Sequence, residues 1–174
     1  TYHLGSPWLG LLVGLLVGAV CGAILATVLV GLGANQIVTG LAFTLLAVSA
    51  TSYLYQRSFS IGQNPPRIDR IDIPPLVALT LAVLAVVIVV MRKTLAGLII
   101  SATGESPVAA DALGFNVQRT RYAATIAGSS LAALGGAVLV CGPLGLFIQN
   151  VTAGRGWVAL ALVVFAGWRP LPCV

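Results

Sequence analysis

The chain has 174 residues, 59% of them hydrophobic and only 7% charged, with a formal net charge of +5. A soluble domain carries about a quarter charged residues, and at this composition its surface would be Leu, Val and Ala, a coat that aggregates in water. The basic residues are scattered through short connecting segments, which excludes a phosphate-tracking nucleic-acid surface and fits charge used to orient a membrane protein.

Residues 9–32 form the first apolar run and contain no charge. At about 1.5 Å per residue this is long enough for a hydrocarbon core of about 30 Å. The second run, 36–56, is also uncharged but carries Thr39, Thr44, Ser49, Thr51 and Ser52. The third, 76–91, is rich in Val and Ile and ends at Arg92 and Lys93. In water that composition favours a strand, but in lipid an isolated strand leaves its backbone unpaired, so a helix is predicted. The fourth runs from near Tyr122 to about Val140, with Pro143 marking a break or kink. The fifth, 157–168, is too short to span alone and reads as truncated or re-entrant. The predicted fold is an all-α integral membrane protein, a polytopic transmembrane helix bundle of about four spans plus this fifth element. The chain starts at Thr1, carries no signal-peptide pattern and stops at Val174 just after an apolar run, and so reads as one transmembrane domain cut at both ends from a larger protein.

Two connections hold nearly all the charge. Residues 57–75 contain Arg57, Arg67, Asp69, Arg70 and Asp72 with two Pro-Pro pairs, an extended aqueous loop. Residues 92–121 contain Arg92, Lys93, Glu105, Asp111, Arg119 and Arg121. One helix separates the two loops, so they lie on opposite faces. Three basic residues against four gives a slight positive-inside bias that places 92–121 in the cytoplasm and 57–75 outside.

Gly10, Gly14, Gly18 and Gly22 repeat every four residues along the first run, and Ala124, Gly128, Ala132 and Gly136 along the fourth. Small residues at this spacing let helix backbones approach closely in lipid. Helix packing accounts for both stripes without a substrate role.

Within the second connection, Ser106 to Gly114 reads as a short helix with both ends marked. Ser106 is a natural N-cap, Pro107 suits the first helical position, and Gly114 can end the helix in the left-handed region. About two turns are not stable alone in water and need a surface. A helix lying in the interface would prefer Leu, Phe and Trp, whereas the small Ala109-Ala110 pair favours docking on a cytoplasmic partner.

The stretch Gly104-Glu105-Ser106-Pro107-x-Ala109-Ala110-Asp111-x-x-Gly114 resembles the cytoplasmic motif of ABC-importer permeases of the ribose/branched-chain amino acid superfamily, most closely the nucleoside/simple-sugar branch. Ala34-Asn35-Gln36-Ile37-Val38-Thr39-Gly40-Leu41, Thr152-Ala153-Gly154-Arg155-Gly156-Trp157-Val158-Ala159-Leu160-Ala161 and Gly167-Trp168-Arg169-Pro170 are similar to further segments of that family, in the family's order. Two features depart from it: no Arg separates Gly167 from Trp168, and Cys141-Gly142-Pro143 opens an outward loop unusually. The resemblance implies a membrane-spanning permease subunit of an ATP-driven importer, forming the translocation path for a small polar solute, a nucleoside or simple sugar. It implies cassette ATPase subunits, a second permease subunit and an extracytoplasmic solute-binding lipoprotein as partners, in the cell membrane. It implies that ATP is hydrolysed in a separate subunit, and that residues 106–114 are a coupling helix pressed into an ATPase groove. Gly104, Glu105, Ser106, Pro107, Ala109, Ala110, Asp111 and Gly114 would form that contact, with Arg119 and Arg121 anchoring the loop on phosphate headgroups or on the ATPase.

Polar groups are costly inside lipid. Asn35, Gln36, Thr39, Thr44, Asn150 and Arg155 are therefore candidates to face a wet path, although Gln36 can equally cap a helix and Arg155 can snorkel to the interface. Trp8, Tyr53, Tyr55, Trp157 and Trp168 lie near run ends, as an interfacial belt does. Cys21, Cys141 and Cys173 are odd in number and form no C-x-x-C pair, which supports neither a disulfide framework nor a metal site. There is no P-loop pattern, and His3 is the only histidine, so neither an ATPase nor a catalytic triad is legible. The rival is a self-contained secondary transporter or channel. Secondary transporters commonly place ionisable groups at mid-membrane, and these runs carry none.

Overall fold

The computed structural model describes residues 7–58, 73–144, 152 and 154–165. Among them every regular element is helical: α1 (Pro7–Ala26), α2 (Gln36–Ser58), α3 (Ile73–Lys93), α4 (Leu95–Glu105), α5 (Pro107–Ala112), α6 (Val117–Leu139) and α7 (Arg155–Phe165). A π turn, Thr27–Gly31, continues α1, and a second, Val140–Leu144, continues α6. Among the described residues four segments are long and apolar enough to cross a membrane: Trp8–Gly31, Gln36–Arg57, Ile73–Lys93 and Val117–Gly142. Helix wins even in Val/Ile-rich α3, because only helices and closed barrels pair every backbone group where no water is present. Leu, Val and Ile side chains stand exposed along the first three, as lipid-facing residues do, while the fourth exposes only Leu131 among its large aliphatics.

Several boundaries differ from the sequence reading. α3 begins at Ile73, so Pro74 and Pro75 lie in its first turn, where a missing N–H costs nothing. α6 begins at Val117, because the Asn116 side-chain oxygen accepts a hydrogen bond from the Arg119 N–H at 3.0 Å. Arg119 and Arg121 are therefore helical residues of α6, not loop residues. The remaining connection contains α4, an apolar helix of 11 residues that the sequence reading treats as loop. It separates from α3 at Thr94, whose backbone is extended (φ −114°, ψ 153°) and whose hydroxyl accepts from the Gly97 N–H at 3.3 Å. Gly97 turns against the carbonyls of Val90 and Met91, where no Cβ fits. The fifth element is α7, with 11 residues; Trp168 and the Gly167–Pro170 motif lie outside the described residues.

The tightest packing is α1 against α6. The two are antiparallel: Gly14 faces Ala137, Gly18 faces Ala133, Gly22 faces Ser129, and Gly31 faces the Tyr122 hydroxyl. A Cβ added at Gly14 would lie 3.0 Å from the Ala137 Cβ, at Gly22 2.7 Å from the Ser129 Cβ, and at Gly18 it would overlap Ala133. The α6 row that meets α1 is therefore Ser129, Ala133 and Ala137. Gly128 and Gly136, singled out by spacing, lie on a neighbouring row and have no described neighbour within 4 Å of a Cβ. Gly10 is half-buried. At the far end of this pair, Leu11, Leu76 and Cys141 form a small buried cluster joined by Leu79, Ala137 and Val138, which ties α3 in. Nothing in α2 is buried.

Candidate functional site

The site is built around α5, at the end of the bundle where α1 finishes and α6 begins. Ser106 serves two helices at once. Its N–H closes α4 on the Ala102 carbonyl at 3.0 Å, and its extended backbone (φ −147°, ψ 95°) turns the chain into α5. Its hydroxyl then accepts from the Ala109 N–H at 3.4 Å, and Pro107 occupies the first helical position. The other end is closed just as fully. The Gly114 N–H donates to the Asp111 carbonyl at 2.9 Å, and the Phe115 N–H donates to the Ala110 carbonyl at 3.1 Å. This paired closure requires the left-handed backbone that Gly114 adopts at φ +84°. Asn116 then caps α6 directly. Six helical residues too short to stand alone are thus set by hydrogen bonds between two longer helices.

The burial pattern corrects one sequence expectation. Ala110 is 1% exposed, so it is the foot of α5 inside the bundle and not part of a contact face. The outward tip is Val108, 81% exposed, and Leu113, 73% exposed, flanked by exposed Ala109 and Asp111. Glu105 and Gly104 are exposed at the end of α4. Beside the tip an open cleft of about 620 Å³ runs between α5 and the start of α6, lined by Pro107, Val108, Asp111, Phe115, Asn116 and Gln118. Sequence reasoning missed Val108 and Leu113. Their signal was available, as large apolar residues inside a connection expected to be aqueous. It also missed Thr103, which is 3% exposed one turn before α5 and whose hydroxyl has no partner among the described residues.

The candidate path residues separate. Asn35 is the cap of α2: its side-chain oxygen accepts from the Ile37 N–H at 3.0 Å. The capping role open to Gln36 thus falls to its neighbour, and Gln36 instead lines a cavity of about 430 Å³ with Arg121. The Thr44 hydroxyl donates to the Gly40 carbonyl at 2.8 Å, which satisfies it within its own helix. Thr39 is half-buried on the same helix. Arg155 is exposed at the start of α7, after Gly154 at φ +78°, and its N–H donates to the Thr152 carbonyl at 2.8 Å. Asn150 lies outside the described residues. Among the described residues no group of His, Cys, Asp and Glu is placed to hold a metal ion.

Sequence comparison places this architecture. The family model described as "Branched-chain amino acid transport system / permease component" matches residues 1–174. The chain is 32% identical to the nucleoside ABC transporter permease protein NupC of Lactococcus lactis, over 95% of this chain and 58% of that protein. It is 34% identical to the putative glucose ABC transporter permease protein TsgC13 of Haloferax volcanii, over 95% of this chain and 56% of that protein. It is 30% identical to the guanosine ABC transporter permease protein NupQ of Bacillus subtilis, over 95% and 58% respectively. The chain thus spans little more than half the length of these relatives. No solved structure matches it. The four spans and the family match along the whole chain together establish a multi-pass membrane protein that belongs to the permease-component family of branched-chain amino acid transport systems.

Proposed function

We propose that this chain forms part of the solute path of an ATP-driven importer and that α5 is the element through which a cassette ATPase moves it. The observation that carries this reading is the fixing of α5 by hydrogen bonds at both ends, with an apolar tip, Val108 and Leu113, left uncovered. A displacement of that tip reaches α4 through the single residue Ser106, and α6 through the hydrogen-bonded turn at Gly114 and the Asn116 cap. Nucleotide-driven closure shifts the permease only as far as the ATPase contacts α5 differently in its two states. Asp111 adds one exposed charge that fixes register at the rim of such a contact.

In this reading the α5 end faces the cytoplasm. A second permease subunit, the same or related, completes the path, and a solute-binding lipoprotein delivers solute from outside. Thr39, Asn150 and Arg155 are the side chains offered to the solute, while Gln36 turns to the cavity it shares with Arg121. Asn35 and Thr44 are spent on their own helix, and their contribution is to hold α2 in shape. The solute is a small polar molecule, a nucleoside or simple sugar; the relatives named for a nucleoside, for guanosine and for glucose support that range.

The test is cross-linking in the full-length permease with its ATPase. Val108→Cys and Leu113→Cys are paired in turn with single cysteines in the ATPase groove, with and without nucleotide. A nucleotide-dependent link is expected at Val108, together with thiol labelling of both positions from the cytoplasmic side only. Absence of any link in an intact complex would sink the coupling role and favour a self-contained transporter or channel. Competition of uptake by nucleosides against glucose then names the solute class.

A further inference from the structure

Three of the four spans end around one cavity. The first ends at Gly31, the second starts at Gln36, and the fourth starts at Val117, and residues from all three regions line the space of about 430 Å³. Its walls are of two kinds. Leu29, Val30 and Ala124 are apolar and belong to the ends of membrane spans, while Gln36, Thr125 and Arg121 bring polar groups. The volume falls in the range of small-ligand sites.

Arg121 gives the cavity its charge. It is exposed, one turn into α6, and its guanidinium has no hydrogen-bond or ion-pair partner among the described residues. No Asp or Glu lines the cavity. A cation beside partly apolar walls, at the depth where spans end, is a poor host for a free inorganic anion, since the walls strip water from it and one charge does not replace that shell. The same arrangement suits an amphiphile that brings its own apolar part. A phosphodiester headgroup meets the guanidinium through two parallel hydrogen bonds, with the glycerol region against Leu29 and Ala124.

We propose that this cavity is a headgroup site for an anionic phospholipid, with Arg121 meeting the phosphate and Gln36 beside it. The proposal needs only the membrane-spanning architecture and is independent of the coupling role of α5. It gives Arg121 a lipid in place of an ATPase contact, and it pins the first, second and fourth spans together at the end where α5 must transmit motion.

Native mass spectrometry of the full-length permease in its complex tests it, after detergent delipidation and titration with phosphatidylglycerol or phosphatidylcholine. The wild type is expected to prefer phosphatidylglycerol, and Arg121→Gln to lower that preference about fivefold, the attraction of one arginine for an anionic surface. Arg121→Lys should retain most of it, and Ala124→Phe, which fills the cavity with every charge kept, should lower it. Arg92→Gln, at the same end of the bundle but outside the cavity, should leave it unchanged. An equal loss in Arg92→Gln would mean diffuse surface charge and overturn the site. Displacement of the lipid by millimolar inorganic phosphate would overturn the lipid assignment in favour of a free-anion site. Unchanged preference in both Arg121→Gln and Ala124→Phe would remove the site altogether.

Discussion

The α1–α6 pair and the α4–α5–α6 junction are both fixed, but by opposite means. Between α1 and α6 the contact exists because side chains are absent: Gly14, Gly18 and Gly22 let Ala137, Ala133 and Ser129 reach the α1 backbone. At α5 the geometry exists because polar groups are present and every end is capped, by Ser106, Gly114 and Asn116. The difference follows from the solvent. In lipid there is no hydrophobic drive between helices, so close approach and dispersion must hold them. At the bundle end water competes for free N–H and C=O groups, so specific caps decide where each helix stops. The first region tolerates no added volume, and the second tolerates no lost hydrogen bond or left-handed turn.

Substitutions of each kind break or sharpen that contrast. The largest effect is expected from Gly18→Leu. Even a Cβ at this position overlaps Ala133, so the pair must separate. Overpacking typically costs about 1–3 kcal/mol, and a whole Leu at a helix crossing lies at or beyond the top of that range. Detergent thermal melts and size-exclusion profiles should show loss of the folded species. Gly128→Leu is its control, because nothing described lies within 4 Å of that position. A collapse of Gly128→Leu equal to that of Gly18→Leu would mean that the buried row on α6 has been misidentified.

Gly114→Val comes next. A β-branched residue held at φ +84° costs about 2 kcal/mol or more, and the cost is local to the closure of α5. Transport in vesicles containing the complete importer should fall while ATP hydrolysis persists and the α1–α6 pair melts as in wild type. Undiminished transport would detach α5 from coupling.

Thr103→Val is expected to act in the other direction. The hydroxyl is buried without a partner among the described residues, and replacing it by a methyl of similar size should stabilise by about 1–2 kcal/mol. A lower melting midpoint would show that the hydroxyl has a partner in the assembled importer. The smallest effect is expected from Ser106→Ala, which removes one capping bond of 3.4 Å and should cost about 1 kcal/mol or less. Ser106→Asp should restore the cap; failure to do so, with the helix otherwise intact, would show that the hydroxyl does not set the α5 start.

The caps of α5 were legible in the sequence because a cap is a property of neighbouring residues. Ser106, Pro107 and Gly114 carry their conformational preferences wherever they stand. α4 was not legible: Arg92, Lys93 and Glu105 frame it like a loop, and the break at Thr94 depends on Gly97 turning against two carbonyls of the preceding helix. The glycine stripe of α1 could be read as a packing surface, but its partner row could not. Spacing alone does not distinguish the Gly128 row from the Ser129 row, because both have helical period and small residues.

Composition settled the solvent, and uncharged apolar runs of about 20 residues settled the helical class, since of the two ways to pair a backbone in lipid a closed barrel needs shorter, alternating strands. The local motifs settled where α5 begins and ends. Which face of each helix looks inward was decided only by the tertiary structure. Ala110 faces the bundle and Val108 and Leu113 face out, while Asn35 turns to its own helix and Gln36 to a cavity shared with Arg121. The physical reason is that a helix presents every residue to some direction, and only the position of the neighbouring helix determines which direction is inside.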